Sequence, residues 1–204
     1  MTRFIVTGTD TDIGKTVFAA GLAGALGARY WKPVQAGIDP EGDKEAVARL
    51  ANLPADHILP EAYRLKTPAS PHLAARLDGV EISLDKLALP PIDGPLVVEG
   101  AGGVLVPVSE TLLMADIFAH WGLPVILCAR TALGTINHSL LSIEALRSRG
   151  VPLAGIAFIG DAHAENERII PALGNVPSLG RLPRLDPLNA QSLKAAFTAN
   201  IRLP

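Results

Sequence analysis

Short runs of apolar residues alternate with stretches of helical periodicity along most of the chain. Four runs have the length and the Val, Ile and Leu content of strands that are buried on both faces of a parallel sheet: residues 4–7, 95–99, 124–129 and 153–159. Weaker candidates are residues 29–34 and 178–182. The intervening stretches predict helices over residues 14–26, 43–51, 113–121, 136–149 and 191–199. We therefore predict an α/β fold, a three-layer parallel sheet with helices on both faces.

Length and composition limit the class of protein. With 204 residues, 49% of them apolar and 19% charged, the chain is too apolar for intrinsic disorder and suits one domain over residues 1–204. A net charge of -2 argues against a nucleic-acid partner. The single cysteine, Cys128, excludes a disulfide framework and is expected to be buried. No apolar run is long enough to span a bilayer, and the N-terminus has no signal-peptide pattern, so we expect a cytoplasmic protein without a membrane partner.

The segment from Gly8 to Thr16, Gly-Thr-Asp-Thr-Asp-Ile-Gly-Lys-Thr, follows the first predicted strand and begins the first predicted helix. Backbone N–H groups of such a loop can surround a phosphate, and the helix N-terminus adds the positive end of its dipole. Lys15 would contact the β- and γ-phosphates, and the Thr16 hydroxyl would bind Mg²⁺. Five residues, rather than the usual four, separate the two glycines. The alternative is a glycine-rich turn that only caps a helix. Asp10 and Asp12 either contact the ligand or only favour the helix N-terminus electrostatically.

Three further charged residues lie at the ends of predicted strands or at the start of a predicted helix. Glu99 ends an apolar strand and precedes a glycine-rich turn, as an acid that holds Mg²⁺ does in phosphate-loop proteins. Asp43 begins the helix after the second strand and is either a metal ligand or an N-cap. Lys32 ends the second strand and would stabilise developing negative charge. Alternatively, Glu99 and Lys32 are solvated charges at strand ends.

The middle of the chain carries weaker signals. Residues 52–92 are rich in Pro and polar residues and are expected to cross the carboxyl edge of the sheet, with short helices over 71–77 and 83–87. Within them, Ser70-Pro71-His72 lacks an orienting acid at a recognisable spacing, so a catalytic histidine is not favoured. The segment from Gly134 to Asn137 begins a long helix whose free N–H groups suit a carboxylate, or are simply capped.

Taken together, these segments resemble the dethiobiotin synthetase family. The resemblance rests on five segments in order, from residue 4 to about residue 185: the loop 8–16, residues 32–37 (Lys-Pro-Val-Gln-Ala-Gly), 70–72, 98–103 and 133–138 (Leu-Gly-Thr-Ile-Asn-His). It implies a P-loop NTPase-like fold and an ATP-dependent cyclo-ligase of biotin synthesis. The substrates would be 7,8-diaminopelargonic acid, CO₂ or bicarbonate, and ATP with Mg²⁺. A carbamate would be phosphorylated to a mixed anhydride, and ring closure would release phosphate.

The resemblance also implies roles for individual residues. Catalysis would involve Thr11, Lys15 and Lys32, and Mg²⁺ would be held by Thr16, Asp43 and Glu99. Nucleotide contacts would come from Asp12, Ile13, Gly14, Lys15, Thr16, Val17, Asp43, Glu99, Gly100, Ala101, Gly102, Pro183, Arg184 and Leu185. Substrate contacts would come from Thr11, Lys32, Ala36, Leu133, Gly134, Thr135, Ile136 and Asn137. The last four would reach the substrate carboxylate in a neighbouring subunit, so a homodimer is implied.

The sequence departs from the family at two positions, and two other functions are alternatives to this interpretation. Ala36 replaces the Ser or Thr that the family usually has, and the family's base-binding Asn has no counterpart in residues 155–161. The main alternative is a regulatory ATPase switch of the ParA/MinD type on the same fold. Those proteins usually carry a second lysine early in the loop, where this chain has Thr9-Asp10-Thr11. The other alternative, an amide-forming synthetase, needs an ammonia source, and Cys128 lacks the setting of a glutaminase nucleophile.

Overall fold

Within residues 2–38 and 41–203, which the computed structural model of the chain describes, eight strands form two parallel sheets. The strands are β1 (Arg3–Gly8), β2 (Arg29–Trp31), β3 (Val34–Ala36), β4 (Tyr63–Leu65), β5 (Leu96–Gly103), β6 (Val125–Arg130), β7 (Leu153–Ile159) and β8 (Ser178–Leu182). The main sheet has the order β2-β5-β1-β6-β7-β8, and β3 pairs with β4 in a small second sheet. The α/β prediction is confirmed, and every predicted strand has a counterpart.

Helices cover both faces of the main sheet, as predicted. The described residues contain α1 (Lys15–Leu26), α2 (Asp43–Ala51), α3 (Pro71–Leu77), α4 (Met114–Trp121), α5 (Thr135–Arg147), α6 (Ala164–Gly174) and α7 (Ala190–Asn200). In the first hydrophobic core, α1, α2 and α7 pack against one face of the sheet. In the second, α3, α4, α5 and α6 pack against the opposite face. Side chains of each central strand alternate between these cores: in β1, Phe4 and Val6 belong to the first and Ile5 to the second. Cys128 is buried in the first core, as expected.

Three local predictions need correction, and one helix was missed. The predicted strand 29–34 stops at Trp31, because Pro33 has no N–H to continue the ladder, and the chain then pairs with β4 instead. The glycine-rich turn predicted after Glu99 is a continuation of β5, which pairs Gly103 with Gly8. The predicted helix over 83–87 is a 3-10 turn over Asp85–Leu87. Helix α6 was not predicted; it contains Pro171, which is unfavourable inside a helix.

The fold brings distant parts of the sequence to one edge. Strands β2, β5 and β1 are adjacent and parallel, so their carboxyl ends lie side by side. The phosphate loop follows β1, Lys32 follows β2, and Glu99 lies in β5 opposite Val6. In the described part of the chain, no helix is sufficiently long and apolar to cross a membrane.

Candidate active site

The loop between β1 and α1 has the backbone of an anion site. Asp12 and Gly14 adopt left-handed conformations, with φ of 54° and 92°. No side chain among the described residues caps α1, and its first turn carries no acid, so its N–H groups and positive dipole end stay available to an anion. A Cβ at Gly8 would lie 2.5 Å from Ile13 Cδ1 and 2.9 Å from Lys15 Cδ, so a larger residue there would have to displace side chains of the loop. This geometry favours a phosphate site over a simple helix cap.

Lys15 lies inside this loop. Its side chain is buried, and Nζ donates to the backbone oxygen of Asp10 at 2.7 Å. Burial lowers the pKa of Lys15 below its ordinary value, although the nearby charge of Glu99 opposes that shift. The Asp10 carboxylate accepts from the Thr11 N–H at 2.8 Å and pairs with Arg130 at 2.8 Å. Asp10 therefore shapes the loop, which agrees with a supporting role rather than ligand contact.

Two carboxylates, a hydroxyl and an ammonium meet beside the loop. Thr16 Oγ1 lies 3.0 Å from Asp43 Oδ1 and 2.9 Å from Glu99 Oε1. Lys32 Nζ is in contact with Asp43 Oδ2 and lies 3.2 Å from Glu99 Oε1. Glu99 has no exposed surface, and Lys32 is 6% exposed, so neither is a solvated charge at a strand end. Burial alone would lower the pKa of Lys32, but the charges of Glu99 and Asp43 outweigh it and raise the pKa, so the amine stays protonated.

Two uncharged residues that sequence reasoning missed position these carboxylates. The hydroxyl of Tyr30 donates to Glu99 Oε2 at 2.8 Å, and burial together with the charge of Glu99 raises the pKa of Tyr30 well above its ordinary value. The side chain of Gln35 accepts from the Asp43 N–H at 3.2 Å and donates to the Gly37 oxygen at 2.7 Å. Since Gly42 is the N-cap of α2, the N-cap interpretation of Asp43 is wrong; its carboxylate faces Thr16 and Lys32 instead.

A cavity of about 830 Å³ opens over this cluster. Among the residues predicted from sequence, its walls contain Thr11, Asp12, Gly14, Lys15, Thr16, Lys32, Ala36, Asp43, Glu99, Ala101 and Gly102. The described residues hold no group of three or more His, Cys, Asp or Glu side chains arranged for a metal. Two carboxylates and one hydroxyl nevertheless fit Mg²⁺, which prefers hard oxygen donors and completes its shell with water and substrate phosphates.

The other predicted residues lie outside the described walls of this cavity. Ile13 and Gly100 are buried beneath it, and Val17 follows in the first turn of α1. The segment Pro183, Arg184 and Leu185 follows β8; Arg184 Nε lies 3.9 Å from Asp161 Oδ2, with both side chains exposed. Leu133 is fully exposed, and the Thr135 hydroxyl donates to the Arg130 oxygen at 2.6 Å. Contacts of Leu133, Gly134, Thr135, Ile136 and Asn137 with a substrate therefore stay predictions.

Comparison with known proteins gives matches along nearly the whole chain. A family model described as an AAA domain matches residues 2–192. The ATP-dependent dethiobiotin synthetase BioD of Rhodopseudomonas palustris strain HaA2 is 67% identical over 196 residues, which are 96% of this chain and 92% of that protein. Proteins of the same name from Nitrobacter hamburgensis and Afipia carboxidovorans are 63% and 61% identical, over 96% and 99% of this chain and 92% and 97% of those proteins.

Solved structures resemble the fold at much lower identity. The MinC:MinD cell division protein complex of Aquifex aeolicus matches with a TM-score of 0.55 and 13% identity, over 96% of this chain and 86% of that chain. A ParA family ATPase from Chlorobium tepidum TLS matches with a TM-score of 0.55 and 13% identity, over 97% and 92%. This likeness shows the P-loop NTPase fold alone, because one fold hosts many functions. The near-full-length identity to the named synthetases is specific, and this chain belongs to the ATP-dependent dethiobiotin synthetase family.

Proposed function

We propose that the chain catalyses the ATP-dependent carboxylation and ring closure of 7,8-diaminopelargonic acid with CO₂ to give dethiobiotin. The observation that carries this proposal is the meeting, in one cavity, of a phosphate loop, two buried lysines and two carboxylates. One amine of the substrate captures CO₂ as a carbamate. A carbamate oxygen attacks the γ-phosphorus of ATP and releases ADP. The second amine then attacks the carbonyl carbon of the mixed anhydride, closes the ring and releases phosphate.

The side chains of the cavity serve this sequence by binding and orientation. The loop N–H groups and Lys15 hold the β- and γ-phosphates, and Lys32 faces the oxygens of the carbamate as it is phosphorylated. Thr16, Asp43 and Glu99 would hold Mg²⁺, which when bound neutralises charge on the phosphates. Because phosphoryl transfer leaves little covalent chemistry for the protein to perform, most of the catalysis comes from positioning and charge neutralisation.

The same cavity offers apolar surface to an aliphatic diamine. Its lining includes the small apolar side chains of Val34, Ala36, Pro68, Ala69, Pro71 and Val106. Such side chains exclude water from a hydrocarbon chain while the polar part of the lining holds the phosphates. Ala36 cannot donate the hydrogen bond that a Ser or Thr would supply at this position. We propose that Thr11 and Lys32 provide the polar contacts to the substrate.

One assay tests the proposed function against both rivals. Phosphate release from ATP is measured with diamine and bicarbonate, with each alone, and with neither. We expect release only when both are present. Equal release without the diamine would indicate an ATPase switch, and release that needs ammonia would indicate an amide-forming synthetase. Mass-spectrometric detection of dethiobiotin completes the test.

We also propose that the protein is a cytoplasmic homodimer with an active site at the subunit interface. Three large apolar side chains are exposed in or next to α5, namely Leu133 just before the helix and Ile136 and Leu141 within it. The uncapped start of this helix has N–H groups suited to a carboxylate. Light scattering with an activity measurement on the same fraction is expected to show an active dimer. A fully active monomer would contradict this prediction.

The nucleotide base gives a further prediction, because the Asn with which the family binds the base has no counterpart in residues 155–161, which include Ile159. An Asn side chain can bind adenine bidentately, a match worth roughly 1–3 kcal/mol of discrimination, and an Ile side chain cannot. Ile159 lies against the phosphate loop, since a Cβ on Gly14 would be 3.0 Å from its Cγ2. We expect ATP to be used with a weak preference over GTP and CTP, judged from kcat/KM for each. A preference beyond about a hundredfold would mean that another side chain selects the base.

A further inference from the structure

The Lys32 ammonium lies among the oxygens that would hold the divalent cation. Its Nζ contacts Asp43 Oδ2 and lies 3.2 Å from Glu99 Oε1. Thr16 Oγ1 lies 3.0 Å from Asp43 Oδ1 and 2.9 Å from the same Glu99 oxygen. The ammonium therefore offsets, from within the chain, part of the negative charge of the two carboxylates that we assign to Mg²⁺.

The two oxygens of Glu99 have different neighbours. Oε2 accepts the hydrogen bond of the buried Tyr30 hydroxyl at 2.8 Å. Oε1 faces Thr16 and Lys32 and is the oxygen placed to bind a cation together with Asp43. A magnesium ion binds its oxygen ligands at roughly 2.0–2.1 Å, and two cations that share such ligands in a buried site repel one another strongly. Simultaneous occupancy is thus unfavourable.

We propose that Lys32 and the divalent cation exchange places on Asp43 and Glu99. Without metal, Lys32 pairs with both carboxylates and offsets part of their negative charge. When the cation binds, the Lys32 side chain is displaced toward the cavity, which its residue already lines. Since this inference rests on the proposed function of the site, it adds an order of events: the lysine that contacts the carbamate becomes available only after the metal is in place.

Metal binding in the absence of turnover tests the exchange. Free Mn²⁺ is counted by electron paramagnetic resonance during titration of the nucleotide-free protein, with no diamine or bicarbonate present. Lys32→Met removes the competing ammonium but keeps an apolar side chain of similar length. We expect it to lower the Kd for Mn²⁺ by about tenfold or more, a change of about 1.4 kcal/mol per factor of ten. Lys32→Arg keeps the cation and is expected to bind Mn²⁺ no more tightly than the unaltered protein.

A second buried lysine allows direct competition for the metal ligands to be distinguished from a general effect of charge on Mn²⁺ binding. Lys15 lines the same cavity, but its Nζ donates to the backbone oxygen of Asp10 and, among the described residues, forms no ion pair with either carboxylate. Lys15→Met therefore removes the same charge without freeing a ligand oxygen and is expected to change the Kd much less. Equal tightening by both Met variants, or unchanged binding in Lys32→Met, would overturn the exchange. If Lys32→Met does not fold, Lys32→Gln gives the same test, because its amide can still donate to a carboxylate.

This result is independent of the carboxylation reaction. The titration contains no substrate. The exchange of Lys32 and the divalent cation can therefore be correct even if the substrate is not 7,8-diaminopelargonic acid. Conversely, phosphate release that depends on both diamine and bicarbonate would support the proposed function even if Mn²⁺ binding were unchanged in Lys32→Met.

Discussion

Lys15→Ala and Lys32→Ala are each expected to lower kcat by about a hundredfold or more. Each substitution removes a positive charge directed at oxygens that gain negative charge as the phosphoryl group moves, and one such donor contributes typically ~2.7–4 kcal/mol. Both lysines are largely buried, so water does not screen their charges as it would at the surface. The loss should appear in kcat more than in KM, because the charge they stabilise develops in the transition state.

The measurement is phosphate release at saturating ATP, diamine and bicarbonate, on variants whose thermal unfolding is first compared with that of the unaltered protein. Lys44→Ala is a matched control. Lys44 Nζ pairs with Glu61 at 2.6 Å and does not line the described cavity. It is expected to retain most of the activity. Near-normal turnover in a folded Lys15→Ala or Lys32→Ala variant would remove that lysine from the catalytic machinery.

The architecture could be predicted because each central strand carries an uninterrupted apolar run. Residues 153–159 match β7 at both ends, since this apolar run has no polar side chain to blur its boundaries. Residues 178–182 match β8 as well, although this strand lies at the edge of the sheet and carries Ser178 and Arg181. Helix α6 and the strands β3 and β4 were not predicted, for two different reasons. Helix α6 contains a proline and a polar surface that weaken its periodic signal, and the two short strands are stabilised by pairing with each other.

The candidate site likewise contains residues that the sequence predicts and residues that it does not. Motif residues such as Lys15, Thr16 and Glu99 could be placed together because parallel strands end at one edge of a sheet. Tyr30, Gln35 and Arg130 could not, because each is an ordinary residue whose contact arises only after folding. Tyr30 meets Glu99 because the register pairs it with Val97, two residues earlier on the same face of β5. Such supporting contacts carry no local sequence pattern.

Glu99→Gln is expected to raise the Mg²⁺ concentration required for half-maximal activity by at least about tenfold, since even residues that only support metal ligands commonly change metal affinity by 10–100-fold. The change keeps the shape of the side chain, and the amide oxygen can still accept from Tyr30 or face the metal. It removes the negative charge that a hard cation prefers. It also leaves Lys32 with Asp43 as its remaining anionic partner in this cluster.

A second buried carboxylate separates a metal effect from a stability effect. Glu61 has a side chain only 3% exposed and pairs with Lys44 and Arg64, each at 2.6 Å, away from the cavity. Glu61→Gln should lower the melting temperature, because two cations lose a shared charged partner. Its magnesium titration should superimpose on that of the unaltered protein. If Glu99→Gln gave the same superimposable titration, Glu99 would have no part in holding the metal, and the buried charge would serve Lys32 and Tyr30 alone.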